Sequence, residues 1–207
     1  MSGGLELRGV HVTLGGRHVL DGVDLDLAPV GSVAVVGPSG SGKTTLLAVV
    51  AGLLAPDAGT VLRGGRPVDA RDVAWVMQTT PLLGARSAVD NVALGALARG
   101  CTRAAADAVA RDALDGLGLG DRAGTRVRRL SGGERQRVAV ARALVQEAPV
   151  VVADEPTASL DAHARDRVVQ ALLAVASAGR LVLVATHDRV VADGCDRVVD
   201  LVAGRPA

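Results

Sequence analysis

Three short runs of the chain contain no polar residue at all: Val33 to Val36 (VAVV), Val150 to Ala153 (VVVA) and Leu181 to Ala185 (LVLVA). A strand with one face in water alternates apolar and polar residues, whereas a wholly apolar run is buried on both faces, as in a parallel sheet covered by helices. Helical patterns follow two of these runs. Residues 43–51 precede Gly52 and Pro56, which end a helix, and residues 162–177 carry Val168, Val169, Leu172, Leu173 and Val175 before Gly179 stops them. Such alternation predicts an α/β fold built on a parallel sheet. Upstream, Leu5 to Leu14 and Val23 to Leu27 alternate around the turn at Gly15-Gly16, which predicts an antiparallel β layer near the N-terminus. Residues 60–62, 73–77 and 197–202 also read as strands. From about 87 to 147 there is no strand pattern; helices are expected over roughly 88–98, 103–116 and 132–147. Residues 1–207 therefore read as one domain, with 1–86 and 148–207 as core and about 87–147 as an inserted helical subdomain.

Composition narrows the classes. At 207 residues the chain can bury roughly 70% of its extended surface. Its hydrophobic fraction is 49% with no Phe, Tyr or Ile, and Trp75 stands alone, so the core must be filled by Ala, Val and Leu. A net charge of +1 with 22% charged residues excludes a disordered polyelectrolyte and gives no support for nucleic-acid coating. Cys101 and Cys195 offer neither metal spacing nor a disulfide framework, which favours a reducing compartment. No apolar run approaches the ~18 residues of a bilayer span, and Met1 to Glu6 has no basic-then-apolar leader pattern. Lys43 is the sole lysine, and the glutamates are Glu6, Glu134, Glu147 and Glu155.

Of those rare residues, Lys43, Glu134 and Glu155 fall in the motifs that carry chemistry. Gly37-Pro38-Ser39-Gly40-Ser41-Gly42-Lys43-Thr44 fits G-x-x-x-x-G-K-[ST] between a buried strand and a helix. Its glycines let backbone N–H groups point inward at phosphates, Lys43 reaches the β and γ phosphates, and the Thr44 hydroxyl can hold Mg²⁺. Asp154 and Glu155 end the second apolar run; Asp154 would face the metal, and Glu155 could accept or orient the proton of an attacking water. Ser131-Gly132-Gly133-Glu134 reads as an N-cap and capping box, and equally as a second anion cradle. Two cradles fit best if each serves a different copy of the protein.

Taken together, these motifs make the chain resemble the nucleotide-binding subunit of an ATP-binding cassette (ABC) transporter over nearly its whole length. Gly37 to Thr44 is similar to Walker A, Gln78 to the Q-loop glutamine and Leu130 to Glu134 to the family signature. Asp154 and Glu155 are similar to Walker B and its catalytic glutamate, Ser159-Leu160-Asp161 to the D-loop, and His187 to the switch histidine. The resemblance implies a P-loop NTPase parallel-sheet core with an N-terminal antiparallel β layer and an inserted helical subdomain. It implies ATP held by Gly37, Pro38, Ser39, Gly40, Ser41, Gly42, Lys43, Thr44, Thr45 and Gln78 of one subunit. Ser131, Gly132, Gly133 and Asp161 would belong to the same nucleotide-binding set, with Ser131 to Gly133 supplied by the other subunit. Mg²⁺ would be held by Thr44, Gln78 and Asp154, with Glu155 and His187 catalytic in a Mg-dependent ATPase.

The implied partners are a second ABC subunit, identical or not, and a separate transmembrane permease, with no nucleic acid. The implied location is the cytoplasmic face of the membrane, held there through the permease. A helical stretch near Thr79 to Leu94, including Leu82 and Leu83, would supply the docking surface. Arg126, Arg128 and Arg129 read as a solvated face. The alternative is a nucleotide-dependent regulatory module on a non-transporting membrane partner. A chromosome or repair ATPase would need a coiled-coil insertion, a translation-associated protein two cassettes, and a simple P-loop kinase would leave Leu130 to Glu134 unexplained. Ala153 to Thr157, Ala185 to Asp188 and Cys195 to Val198 are similar to the lipoprotein-releasing and macrolide-exporter branch.

Two positions depart from the family pattern. Where the family places an aromatic against adenine, this chain has Leu14; His11, His18 and, less well placed, Trp75 are the candidate substitutes. The turn before the first apolar run reads Pro29-Val30-Gly31 in place of a Pro-Gly-acid sequence, which predicts a local change only.

Overall fold

A computed structural model describes residues 3–79 and 81–206. Met1, Ser2, Thr80 and Ala207 lie outside the described residues, and with them the start of the N-terminal leader reading and one position of the expected docking stretch.

The alternating N-terminal segments form β1 (Leu5–Leu14) and β2 (Arg17–Leu27), an antiparallel pair in which Leu14 faces Arg17 across the Gly15-Gly16 turn. They join β4 (Ala58–Arg63) and β5 (Arg66–Pro67) in a four-stranded sheet of order β2-β1-β4-β5. The strand expected at 60–62 thus belongs to this antiparallel layer.

The wholly apolar runs become β3 (Gly31–Val36), β7 (Val150–Asp154) and β8 (Leu181–Ala185). With β6 (Val73–Val76), β9 (Arg197–Val202) and β10 (Arg205–Pro206) they build a six-stranded sheet of order β10-β9-β3-β8-β7-β6. Its pairs are parallel except for β10 against β9. The chain is an α/β fold with a P-loop NTPase parallel-sheet core, an N-terminal antiparallel β layer and an inserted helical subdomain.

The strand period of two sorts side chains onto opposite faces. Val150 and Val152 join a core with β1, β2 and α1 (Lys43–Val50), while Val151 and Ala153 join a core with the remaining long helices. These are α2 (Ala88–Leu97), α3 (Arg103–Gly116), α4 (Gly132–Leu144) and α5 (Ala162–Ser177). Small residues set the helix spacing. A Cβ on Gly95 of α2 would lie 2.5 Å from the Arg142 carbonyl of α4, so the two backbones meet where a larger residue would part them. Thr102 caps α3, Asp161 caps α5, and Asp188 caps the short α6 (Arg189–Asp193).

One expectation needs correction. Thr79 and Pro81 to Ser87 are not helical: Pro81 to Arg86 form an irregular loop, and the helix starts at Ala88, where Ser87 and Asp90 make a capping box.

Candidate functional site

Topology gathers the site. Strands β3, β8, β7 and β6 are neighbours, and their C-terminal ends lead into Gly37, His187, Glu155 and Gln78 respectively. Open α/β sheets bind ligands at this carboxyl edge. An open cleft of about 420 Å³ there is lined by Leu14, Val19, Ser39, Gly40, Gly42, Lys43, Thr44, Thr45, Gln78, Asp154 and Glu155.

The loop from Gly37 to Gly42 is shaped by positive φ. Gly37 sits at φ 146°, where a Cβ would come within 2.3 Å of the Leu201 carbonyl, and Gly42 caps α1 at φ 101°. No side chain caps α1, so its first N–H groups remain available to an anion. Lys43 closes the loop from within: its Nζ donates to the carbonyls of Gly37 at 2.8 Å and Pro38 at 3.1 Å. Ser41 Oγ is buried without a hydrogen-bond partner among the described residues.

Asp154, at the end of β7, is only 3% exposed. Burial pushes its carboxyl above the usual range; the Thr44 hydroxyl and Lys43 pull the other way, and neighbouring Glu155 adds to the push. A buried carboxylate beside a hydroxyl, with the Gln78 amide in the same cleft, is an all-oxygen donor set. That chemistry fits a Mg²⁺ ion that keeps further positions for phosphate and water.

Glu155 has φ 46°, an uncommon value for a residue with a side chain. Its N–H donates to the Ala185 carbonyl at 2.9 Å, which fixes this turn against β8, and its Oε1 lies 2.8 Å from His187 Nδ1. Strained non-glycine residues of this kind cluster at functional sites.

The remaining motif residues lie elsewhere. Ser131, Gly132 and Gly133 begin α4 and do not line the cleft; Ser131 accepts from the Glu134 N–H, and its own N–H donates to Glu134 at 2.7 Å. That bond holds the Glu134 carboxyl below its ordinary range. Asp161 accepts from the Ala164 N–H at 2.8 Å as the cap of α5. A Cβ on Gly133 would lie 3.2 Å from Leu160, so the signature and D-loop segments touch.

The suggested adenine partners are not in the cleft. Trp75 is partly buried against the core between sheet and α1, His18 contacts Thr13 at 3.2 Å, and His11 pairs with Asp21 at 3.3 Å in a separate depression. Sequence reasoning also passed over Asn91. Fully buried, it accepts from the Leu83 N–H and donates to the carbonyls of Leu83 and Ser87, pinning the loop after Gln78. A lone amide among the apolar residues of α2 was the available signal.

Comparison with known proteins follows the same lines. The family model described as "ABC transporter" matches residues 20–158. A Fe(3+) ions import ATP-binding protein of Streptomyces avermitilis is 44% identical over 210 residues, covering 98% of this chain and 61% of that protein. A lipoprotein-releasing system ATP-binding protein of Bacteroides thetaiotaomicron is 38% identical over 212 residues, covering 97% of each chain. A solved dimeric ATP-binding cassette in a post-hydrolysis state, bound to ADP and Pi, superimposes with a TM-score of 0.88 at 30% identity, covering 98% of this chain and 96% of that one. The chain thus spans about three fifths of the iron-import relative and nearly all of the lipoprotein-releasing one.

Proposed function

The chain belongs to the ABC transporter family, and from that premise we propose that it is a single nucleotide-binding domain, residues 1–207, that hydrolyses ATP to power a membrane transporter. The observation that carries this reading is the joint presence of Lys43, Thr44, Gln78, Asp154 and Glu155 around one cleft.

ATP would lie with its phosphates on the backbone N–H groups from Gly37 to Thr45 and on Lys43. Thr44, Asp154 and Gln78 would hold Mg²⁺, which when bound neutralises phosphate charge. Glu155 would accept or orient the proton of the attacking water, and His187 would steady the Glu155 carboxylate through their hydrogen bond. Ser131, Gly132, Gly133 and Asp161 would serve a nucleotide held mainly by a second copy or a second ABC subunit; the exposed α4 start and its absence from the cleft support that assignment. ATP would then bridge two chains, and its hydrolysis would remove the bridging group and release the clamp.

No helix among the described residues is long and apolar enough to cross a membrane. We place the chain peripherally on the cytoplasmic face, docked to a separate permease. The names of the relatives, which speak of iron import and lipoprotein release, support transport over the regulatory alternative. The test is size-exclusion chromatography with and without Mg-ATP, on wild type and Glu155→Gln, beside a phosphate-release assay. A variant that stays dimeric with ATP and releases no phosphate supports the reading; a chain that neither binds nor hydrolyses ATP overturns it.

A further inference from the structure

Two segments next to the loop after Gln78 carry charge of one sign. Residues 81–87 and 123–131 hold Arg86, Arg126, Arg128 and Arg129 and no Asp or Glu, in a chain whose 23 basic and 22 acidic residues balance to +1. Arg86 lies far from the other three along the chain, and the fold brings it to them. Ser87 faces Arg126 in an antiparallel bridge. The Val127 N–H donates to the Arg86 carbonyl at 2.9 Å, and the Arg128 N–H donates to the Gly84 carbonyl at 3.0 Å. Val127 is buried, while all four arginines are exposed.

Their charge is not neutralised within the molecule. Among the described residues none of the four makes an ion pair. The acids flanking the two segments are engaged elsewhere or stand apart. Asp90 is held by Ser87 and Arg103, Glu134 by the Ser131 N–H and Arg122, and Asp121 pairs with none of the four. A one-signed surface attracts anions, and the planar guanidinium fork matches phosphate oxygens in particular.

The backbone beneath the patch decides which kind of partner fits. The N–H groups of Arg86, Ala88, Val127, Arg128, Arg129 and Leu130 are all spent on carbonyls of these same segments. An added peptide strand therefore finds no open edge here. Recognition by charge density remains, and a layer of anionic headgroups supplies it.

We propose that Arg86, Arg126, Arg128 and Arg129 bind the anionic headgroups of a lipid bilayer directly. The patch borders the exposed Leu83, so docking through that loop and contact with lipid use the same side of the molecule. Each arginine near an anionic leaflet strengthens association by about fivefold, and stable attachment takes two signals together. The patch thus steadies a docked chain without anchoring a free one.

The experiment is co-sedimentation of the full chain with vesicles of phosphatidylcholine alone and of phosphatidylcholine with one-third phosphatidylglycerol. Neither nucleotide nor permease is present, so the result is independent of the transporter reading. The chain should partition onto the anionic vesicles only, and release as salt shortens the screening length from about 10 Å to about 3 Å. Partitioning should fall by about fivefold per arginine replaced, reaching the phosphatidylcholine level in the triple variant Arg126→Gln, Arg128→Gln, Arg129→Gln. Arg17→Gln, Arg71→Gln and Arg111→Gln together remove the same charge at exposed positions elsewhere and should leave partitioning within about twofold. Melting curves of both triple variants should match wild type. Equal binding to the two vesicle types, binding that salt does not weaken, or equal losses in the two triple variants overturns the proposal. So does a chain that ignores vesicles but holds polyglutamate through the patch arginines, a result that assigns the patch to an acidic protein segment.

Discussion

Glu155 and His187 face each other at 2.8 Å with unequal freedom: the carboxylate is 13% exposed and held by a turned backbone, while the imidazole is 72% exposed. The acid is positioned by the fold, whereas the histidine stands largely in solvent. Glu155→Gln keeps the shape and removes the proton acceptor. It should retain nucleotide binding and lose turnover by about 10²- to 10⁴-fold, the range of general-base contributions. His187→Ala should reduce turnover less and leave nucleotide affinity nearly unchanged. Phosphate release and direct nucleotide titration read both.

Asp154 predicts a conflict between stability and activity. Burial raises its carboxyl above the ordinary value of 3.8, so the protonated form favours the folded state. Its contribution to stability is therefore fully present below 3.8 and is lost as pH rises through the folded-state value. Above that folded-state value the free chain carries a destabilising buried charge. Asp154→Asn should raise the metal-free melting temperature at pH 7 and narrow its gap to wild type in acid. Mg-dependent turnover should fall by at least the roughly 10- to 100-fold seen when supporting metal-site groups are removed. Thermal scans across pH, with and without Mg²⁺, check both halves.

At the start of α2 the sign runs the other way. Asp90 is held at about 2, first by the Ser87 hydroxyl and then by Arg103. Stability from the ionised acid is present above its ordinary value of 3.8 and disappears as pH falls through about 2. Ser87→Ala should cost about 1 kcal/mol at pH 7, the usual worth of an N-cap. The charge-dependent part of that cost should shrink in acid, as measured by denaturant titration at neutral pH and near pH 2.

Gly132 separates structure from function at the start of α4. Nothing lies within 4 Å of the position a Cβ would take there, so Gly132→Ala should leave the fold intact or stabilise it by up to ~1 kcal/mol. If a second chain's nucleotide sits against this backbone, the added methyl should abolish ATP-driven dimerisation. Substituting Ser131 would confuse the two effects, because its hydroxyl already caps the helix. Chromatography with Mg-ATP, next to a melting curve, distinguishes them.

The docking surface can be probed at one residue. Leu83 is 51% exposed, whereas Leu82 packs against the helical core. Leu83→Asp should leave melting temperature and nucleotide affinity within experimental scatter and remove membrane recovery on co-expression with a permease. Leu82→Asp should lower stability by burying a charge, so its loss from membranes would say nothing about docking.

Much of this molecule was legible without coordinates because local rules suffice. Short apolar runs ending at Gly37 or Asp154 read as strands buried on both faces, a glycine-rich run ahead of Lys43 reads as an anion loop, and Ser131 reads as a helix start, although equally apolar runs such as Leu46 to Val50 lie in a helix. Those features depend on neighbours in the chain. Tertiary structure decided what depends on residues far apart: that β4 pairs with β1, that β3, β8, β7 and β6 lie side by side so that the segments carrying Gly37, His187, Glu155 and Gln78 leave one edge of the sheet, and that Leu83 is pinned by Asn91 before any helix begins. It also decided which residues line the cleft beside the glycine-rich loop. His11, His18 and Trp75 have suitable rings, but strand register turns both histidines to other partners and burial claims the tryptophan, so Leu14 and Val19 remain. Residue type sets what a side chain can do, and only the register of strands and the packing of helices determine what it is near.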